Sequence, residues 1–246
     1  MNETLLEFDD VRKRYAADRL VLDGFSLAVS AGETVALVGP SGCGKTTALK
    51  LANRLLEPDA GAVRVFGRPA REQEPVALRR RIGFVIQEGG LFPHWTVREN
   101  VEAVPRLLGW EAARRKERSD ALLATVGLPP PEFSERRPAS LSGGERQRVG
   151  VARALAAGPS LVLMDEPFGA LDPIARRAMQ REFVGWRSRW DAAVLLVTHD
   201  LSEAFRLADR VAVMAAGRIR QLGAPDEIRA RPADAFVREF VSEFLA

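Results

Sequence analysis

Cysteine is nearly absent from this sequence, and long apolar stretches are missing. The single cysteine among 246 residues, Cys43, excludes an internal disulfide and a metal site built from several cysteines. The longest uninterrupted apolar stretches, 192–197 and 211–216, have six residues each, whereas a helix that crosses a bilayer needs about 20. The acidic start, Met1-Asn2-Glu3-Thr4, opens no signal-peptide core. We therefore expect no transmembrane segment, no secretory leader and a cytoplasmic location.

A large excess of charge of one sign is also missing. The chain has 36 basic and 33 acidic side chains, which gives a net charge of +3. The basic residues are scattered, and the short clusters at 79–81 and 114–116 are typical of solvated helix faces. A nucleic-acid-binding surface usually concentrates basic charge on one face and interleaves it with aromatic residues. We expect no nucleic-acid partner.

Short apolar segments alternate with helix-like segments along the chain, whose composition of 46% apolar and 28% charged residues is that of a globular protein. The predicted strands are Thr34–Val38, Ile82–Ile86, Leu161–Met164, Ala193–Thr198 and Val211–Met214. The predicted helices are Gly44–Leu56, Trp110–Val126, Gly143–Ala157, Pro173–Arg187 and Leu201–Ala208. Nearly continuous apolar strands between helices predict an α/β fold with a mostly parallel central sheet.

Two regions depart from this alternation. Leu5–Val11 and Val21–Val29 alternate apolar and polar positions, which predicts an antiparallel pair of strands at the N-terminus. Between Gln87 and Ala157 the strand pattern disappears and helical patterns interrupted by prolines remain. We therefore predict one domain over 1–246, with an α/β core at 1–87 and 158–246 and a helical subdomain inserted at 88–157. After Gly217, the remaining residues are enough for a strand and one or two helices.

A glycine-rich segment between a predicted strand and a predicted helix has the pattern of a phosphate-binding loop. Glycines let backbone N–H groups approach a polyphosphate closely, and the following helix presents its positive end to the anion. In that arrangement Lys45 would contact the β- and γ-phosphates, and Thr46 would offer a hydroxyl to Mg²⁺. A loop that only turns the chain is the less specific alternative. The segment is Gly39-Pro40-Ser41-Gly42-Cys43-Gly44-Lys45-Thr46-Thr47, and in it Cys43 would act through its backbone N–H.

A second segment, Leu161–Pro167, is an apolar strand that ends in two carboxylates, Asp165 and Glu166. Ligands of α/β folds bind at the carboxyl edge of the sheet, where the phosphate loop also lies. Asp165 is the candidate metal ligand because Mg²⁺ prefers oxygen donors. Glu166 is the candidate general base that polarises an attacking water. Alone, such a pair would indicate only surface charge; with the phosphate loop, it indicates a hydrolytic site.

A third segment, Leu141-Ser142-Gly143-Gly144-Glu145-Arg146-Gln147, begins another predicted helix. A hydroxyl and two glycines at a helix N-terminus predict a second anion-binding site. Ser142 with Glu145 three residues later is also the pattern of a capping box, which is a structural role. Both interpretations can hold together.

These three segments, in this order, resemble the nucleotide-binding subunit of an ABC transporter, with its P-loop NTPase (RecA-like) core, and the resemblance covers essentially the whole chain. Leu141–Gln147 resembles the signature motif of that family, of which Leu141, Ser142, Gly143, Gly144 and Glu145 are the candidate contact residues. Further positions match one by one. Gln87 resembles the Q-loop glutamine that contacts Mg²⁺ and the attacking water, Asp172 in 169–172 lies in a D-loop pattern, His199 resembles the switch histidine, and Tyr15 resembles the aromatic residue that stacks on adenine.

For Tyr15 and His199 there are structural alternatives, an exposed tyrosine at a strand end and a capped histidine. His94 matches no catalytic position and is expected to be structural.

The resemblance implies a head-to-tail dimer that holds two ATP molecules, because the signature of one subunit must contact the γ-phosphate held by Lys45 of the other. It also implies a separate integral membrane permease and, indirectly, a solute-binding protein. The chain would then lie peripherally on the cytoplasmic face of the membrane. The segment 88–93 and Trp95 would line the groove that receives the permease, although Leu91, Phe92 and Trp95 could instead only cap the helical subdomain.

Within the family, segments 53–58, 82–87, 90–94 and 168–174 resemble importer ATPases for quaternary amines such as glycine betaine, carnitine and choline. Many such relatives carry a C-terminal regulatory domain, and for this sequence we do not expect osmotic gating through such a domain. Alternatives are an importer ATPase for another solute, an amino acid or an oxyanion, and a soluble ABC ATPase outside transport. A small-molecule P-loop kinase would lack the signature segment.

Overall fold

The computed structural model describes residues 3–15, 19–87, 90–187 and 190–245, and its β-strands lie within residues 4–85 and 161–223. Within these ranges the strands are β1 (Thr4–Tyr15), β2 (Arg19–Ser30), β3 (Thr34–Val38), β4 (Ala60–Val65), β5 (Arg68–Pro69), β6 (Ile82–Val85), β7 (Leu161–Asp165), β8 (Ala193–Thr198), β9 (Arg210–Ala215) and β10 (Arg218–Gly223).

The helices fall between these strands and at the C-terminal end of the described chain. They are α1 (Lys45–Ala52), α2 (Pro75–Arg80), α3 (Val97–Val101), α4 (Ala103–Leu107), α5 (Ala112–Thr125), α6 (Pro130–Phe133), α7 (Gly143–Leu155), α8 (Pro173–Arg187), α9 (Leu201–Leu207), α10 (Pro225–Ala230) and α11 (Ala235–Leu245). Among the described residues, no helix has both the length and the apolar character needed to cross a membrane.

The chain divides into two units, of which the first comprises 1–79 and 191–246. One of its sheets has the strand order β2-β1-β4-β5, and all its pairings are antiparallel. Phe8 of β1 pairs with Leu27 of β2, and its ring meets that of Phe25 edge-on at 5.0 Å. The predicted antiparallel pair at the N-terminus is confirmed, and β4 and β5 join it from beyond α1.

The other strands of the first unit follow the order β10-β9-β3-β8. β3 pairs in parallel with both β8 and β9, and β10 pairs antiparallel with β9. Every residue of β3 and β8 is buried, as expected for strands covered on both faces. α9 packs on β3 and β8, and α1 packs on β8. The parallel arrangement predicted for this part of the chain is confirmed, together with a strand and helices after Gly217.

The helix predicted over Gly44–Leu56 ends earlier, at Ala52. Arg54 adopts a left-handed backbone conformation with φ 53°. The amides of Leu55 and Leu56 then turn back to the carbonyl of Lys50, at 2.8 and 3.1 Å. Such backward hydrogen bonds satisfy the last carbonyls of a helix and stop it.

The second unit, 80–190, contains β6 and β7, paired in parallel, and the helices α3 to α8. α7 packs against α3, α5, α8 and β6. Within the described part of 90–157 the structure has helices and turns and no strand, in line with the helical pattern of the sequence. That 88–157 forms a separate subdomain stays a prediction.

Candidate active site

The phosphate-loop segment connects β3 to α1 in the first unit. Gly44 is the N-cap residue of α1 and has φ 112°, a conformation that favours glycine. A Cβ at Gly44 would lie 2.6 Å from Leu22 Cδ2, and one at Gly39 would lie 2.2 Å from the carbonyl oxygen of Met214. The loop therefore needs glycine at both positions, because it lies directly against β2 and β9.

Lys45, the first residue of α1, lies inside this loop and is only 6% exposed. Its Nζ donates hydrogen bonds to the carbonyl oxygens of Gly39 at 2.7 Å and Pro40 at 3.1 Å. The ammonium is thus held at the centre of the loop by backbone groups, where it can act as a point charge for phosphate oxygens.

Cys43 contributes its backbone to the same loop, because its amide donates to the carbonyl of Pro40 at 3.3 Å. Burial is the main cause that raises the pKa of the Cys43 thiol, and the nearby Lys45 charge opposes it. The thiol is therefore protonated at neutral pH and adds no charge to the loop.

Tyr15 and His199 lie on elements that adjoin this loop. The hairpin of β1 and β2 pairs Tyr15 with Arg19, and Nη2 of Arg19 lies 3.4 Å from the position of a Cβ on Gly42. Tyr15 is 38% exposed. His199 is exposed and directly follows Thr198, which pairs in parallel with Val38, the last residue before the loop. The first unit thus has the phosphate loop, Tyr15 and His199 at neighbouring strand ends.

Asp165, Glu166 and Gln87 share a strand edge in the second unit. Met164 pairs with Val85, so the residues that follow each strand leave the sheet side by side. Glu166 has φ 44°, an uncommon conformation for a residue with a Cβ that costs about 1–3 kcal/mol and is concentrated at functional sites.

The loop after Glu166, residues 169–172, turns back on it. The amide of Gly169 donates to the carbonyl of Glu166 at 3.1 Å. A Cβ on Gly169 would lie 3.3 Å from Glu166 Oε2, so the carboxylate reaches this glycine. Asp172 is the last residue of the loop and caps α8, since its Oδ1 accepts from the amides of Ile174 and Ala175 at 3.0 Å each.

The signature segment forms the N-terminus of α7, and the predicted capping box is confirmed. The Ser142 amide donates to Glu145 Oε2 at 2.7 Å, and the Glu145 amide donates to Ser142 Oγ at 3.3 Å. The hydrogen bond from the Ser142 backbone lowers the pKa of Glu145, so this carboxylate is ionised at neutral pH. Leu171 Cδ2 lies 3.8 and 3.9 Å from the Cβ positions of Gly143 and Gly144. The loop 169–172 and the signature segment are therefore in contact.

The segment after Gln87 is organised by a residue that sequence reasoning missed, Asn100. It is fully buried; its Oδ1 accepts from the amide of Phe92 at 2.7 Å, and its Nδ2 donates to the carbonyls of Phe92 at 3.2 Å and Thr96 at 2.9 Å.

Phe92 is 47% exposed and its ring lies 4.5 Å from that of Trp95. The two aromatic rings form a partly exposed apolar pair, here called the aromatic pair. Glu88 and Gly89, part of the predicted groove, lie outside the described residues, and His94 is exposed.

Arg176 and Arg153 were also missed. Arg176 donates from Nη2 to the carbonyls of Gly169 and Leu171, and Arg153 of α7 donates to the carbonyl of Gly90 at 2.8 Å. Both act on backbone carbonyls, which side-chain motifs do not specify. The position of Arg176 four residues after the helix cap was the only available signal.

The donor set expected for Mg²⁺ consists of the Thr46 hydroxyl, the Asp165 carboxylate and the Gln87 amide oxygen. All three are oxygen donors, as Mg²⁺ prefers: Asp165 is the last residue of β7, Gln87 lies two residues after β6, and Thr46 is in the first turn of α1. The residue types therefore fit the ion. Thr46 belongs to the first unit, and Asp165 and Gln87 belong to the second.

Comparisons with known proteins give a consistent result. The ABC transporter family profile matches residues 22–169. The choline transport ATP-binding protein OpuBA of Bacillus subtilis (strain 168) is 48% identical over 239 residues, which are 97% of this chain and 62% of OpuBA. The glycine betaine uptake system ATP-binding protein YehX of Escherichia coli (strain K12) is 47% identical over 236 residues, 96% of this chain and 76% of YehX. This chain thus spans less than two thirds of the length of OpuBA.

A solved structure agrees with the fold. The ATP-binding cassette MJ0796, a dimer in a post-hydrolysis state bound to ADP and phosphate, has a TM-score of 0.78 and 30% sequence identity, over 90% of this chain and 99% of that chain. The family profile covers more than half of the sequence, and its match includes the phosphate loop and both carboxylates at 165 and 166. The chain belongs to the ABC transporter family.

Proposed function

We propose that this chain is the ATP-hydrolysing subunit of an importer that takes up a quaternary amine osmoprotectant through separate membrane subunits. The observation that carries the proposal is the buried Lys45 ammonium, held by the Gly39 and Pro40 carbonyls in a glycine-lined strand-to-helix turn. This arrangement suits the β- and γ-phosphates of ATP.

In this proposal each predicted residue has a chemical role. Lys45 and the loop amides bind the phosphates, and Tyr15 stacks on the adenine. Glu166 orients and polarises the attacking water, and His199 contacts the γ-phosphate. Thr46, Asp165 and Gln87 would hold Mg²⁺, which when bound offsets charge on the phosphates.

The second ligand-binding surface is the signature segment of another copy of the chain. Gly143 and Gly144 lie at the N-terminus of the 13-residue helix α7 and are partly exposed. A helix N-terminus favours an anion. In our proposal Ser142 and Gly144 of one subunit contact the γ-phosphate bound by the other, so that ATP joins the two copies and hydrolysis separates them. The dimeric state named for MJ0796 supports this arrangement.

The aromatic pair, Phe92 and Trp95, is the proposed contact for a permease. Its exposed apolar surface follows Gln87 closely in the chain, and Asn100 fixes its backbone. Partly exposed aromatic residues are typical of protein contact sites. Through this contact the chain would lie at the cytoplasmic face of the membrane, and a solute-binding protein would take part indirectly.

The solute is proposed from the relatives alone, because an ATPase subunit does not contact the solute. OpuBA is described as a choline transport protein and YehX as part of a glycine betaine uptake system. An importer for an amino acid or an oxyanion, or an ABC ATPase outside transport, remains the alternative.

Uptake by cells tests the whole proposal. In the source cells, the gene is replaced by the wild-type gene, by Lys45→Ala, or by an exposed-site control, Arg106→Ala. We expect uptake of labelled choline or glycine betaine with wild type and Arg106→Ala and its loss with Lys45→Ala, while amino-acid and phosphate uptake stay constant. Loss of amino-acid or phosphate uptake instead would favour the alternative solutes. If no uptake changes and the chain co-purifies with no integral membrane protein, the transport proposal is wrong.

A further inference from the structure

Arg176 lies in the first turn of α8 and donates hydrogen bonds back to the loop before this helix. Its Nη2 lies 3.3 Å from the carbonyl oxygen of Gly169 and 3.1 Å from that of Leu171. These carbonyls stand on either side of Ala170, so one guanidinium holds the backbone on both sides of that residue. Hydrogen bonds from a charged donor are stronger than neutral ones. Arg176 therefore fixes the shape of the loop 169–172.

The loop carbonyls are the only partners of the Arg176 side chain within the part of the chain that the structure describes. Its Nε is buried and makes no hydrogen bond there, and no carboxylate there pairs with it. A buried donor without a partner is unfavourable. The position of the guanidinium is thus determined by the loop and not by an ion pair.

The same loop contacts the two segments that the proposed function uses. Its first residue, Gly169, is hydrogen-bonded to the carbonyl of Glu166. Its third residue, Leu171, is 7% exposed and lies against the Cβ positions of Gly143 and Gly144 at 3.8 and 3.9 Å. A change in the loop backbone would therefore move Leu171 away from the start of the signature helix.

We infer that Arg176 is a positioning residue for ATP-dependent pairing of two copies, an inference that rests on the proposed function. By holding the carbonyls of Gly169 and Leu171, it keeps Leu171 packed under the signature glycines, so that this surface has the right shape for the partner's nucleotide. Arg176 contacts neither nucleotide nor partner in this account. Its effect is on pairing and turnover, and binding of ATP to a single copy does not depend on it.

Measurement of ATP-dependent dimerisation tests the inference in the full chain. Hydrolysis is slowed with Glu166→Gln, and Arg176→Ala, Arg176→Lys or Arg177→Ala is added. Arg177 is the exposed neighbour on the same helix and serves as the matched control. Sedimentation gives the dimer dissociation constant at saturating ATP, a fluorescent ATP analogue gives nucleotide affinity at concentrations where the chain is monomeric, and thermal unfolding reports folding.

We expect Arg176→Ala to raise the dimer dissociation constant about tenfold or more, because two charge-assisted hydrogen bonds are lost. Nucleotide affinity of the monomer changes less than about twofold. Arg176→Lys keeps the charge without the fork of donors and should give an intermediate value. Arg177→Ala should match the parent. Without Glu166→Gln, Arg176→Ala lowers kcat and leaves KM for ATP within the same twofold range.

Pairing of the Arg176→Ala variant as tight as that of the parent would overturn the inference, and so would an equal loss of monomer nucleotide affinity. If Arg176→Ala unfolds, Arg176→Lys decides: with normal folding it must still pair more weakly than the Arg177→Ala control. If the Glu166→Gln parent itself never pairs with ATP, the proposed dimer is wrong and this inference falls with it, an outcome distinguished by the failure of the parent.

Discussion

Asn100 offers the sharpest test of how the aromatic pair is held in place. We consider Asn100→Ala, which removes the side-chain acceptor at 2.7 Å from the Phe92 amide and the donor at 3.2 and 2.9 Å from the carbonyls of Phe92 and Thr96. The side chain is fully buried, so it has no competing contact with solvent in the folded state.

The size of the effect follows from these contacts. Each hydrogen bond contributes about 0.5–1.5 kcal/mol net, and the three shortest of the four that Asn100 makes, the fourth being to the Trp95 carbonyl at 3.4 Å, give about 1.5–4.5 kcal/mol. Phe92 itself is exposed, so water can reach part of the released backbone and the lower half of this range applies, about 1.5–3 kcal/mol. The exposed Arg106→Ala variant is the control and should stay within about 0.5 kcal/mol of wild type.

Urea denaturation gives the free energy of unfolding of both variants, and hydrogen exchange reports the protection of the Phe92 amide. We expect Asn100→Ala to lower both, while ATP hydrolysis by the isolated chain is retained because the Asn100 side chain bonds to the backbone of Phe92, Trp95 and Thr96 and to none of the proposed catalytic residues. Recovery with membranes should fall, since the aromatic pair loses its fixed backbone. An unfolding free energy within 0.5 kcal/mol of the control, together with unchanged exchange at Phe92, would refute this reasoning.

Three further results are expected. Gly44→Ala should abolish ATP binding because its Cβ would meet Leu22 and Val21 at 2.6 and 2.7 Å, whereas Gly158→Ala, which meets no atom within 4 Å, should bind ATP normally; normal binding by both would contradict the loop geometry. For Glu145 the pKa is lowered on folding, so its contribution to stability is complete above its unfolded pKa and is lost as the pH falls through the folded value. Unfolding measured from neutral to acidic pH should therefore show a smaller loss for Glu145→Gln than for wild type, and equal losses would speak against the ionised cap. Cys43, with its raised pKa, should react with iodoacetamide at neutral pH at least about tenfold more slowly than a free thiol and faster as the pH rises; rapid labelling would show that the thiol is not buried in the loop.

Most of the strands, though not β4 and β5, the main helices and the phosphate loop could be predicted because each depends on local sequence. The turn around Gly44 needs residues without a Cβ, and the capping box at Ser142 needs two side chains three residues apart; both requirements are visible in the sequence. The fold class was predictable for the same reason, since continuous apolar segments between helices specify buried parallel strands.

Contacts between distant segments could not be predicted. β4 and β5 join the N-terminal sheet from across α1, and nothing local in their sequence requires that pairing. The end of α1 depends on the left-handed backbone of Arg54, and Glu166 also has a positive φ, although neither residue type favours it. Arg176 and Asn100 act on backbone carbonyls and amides, which carry no signature in the order of side chains.

The central claim is that ATP joins two copies of this chain, each of which completes the other's site. It is tested most directly by small-angle scattering of Glu166→Gln with ATP and Mg²⁺. The matched control is the double variant Lys45→Ala, Glu166→Gln, which should not bind nucleotide. The account predicts a dimer for Glu166→Gln that requires ATP, and a monomer for the double variant at the same concentration. A Glu166→Gln chain that binds ATP yet stays monomeric, both alone and with its permease, would contradict it.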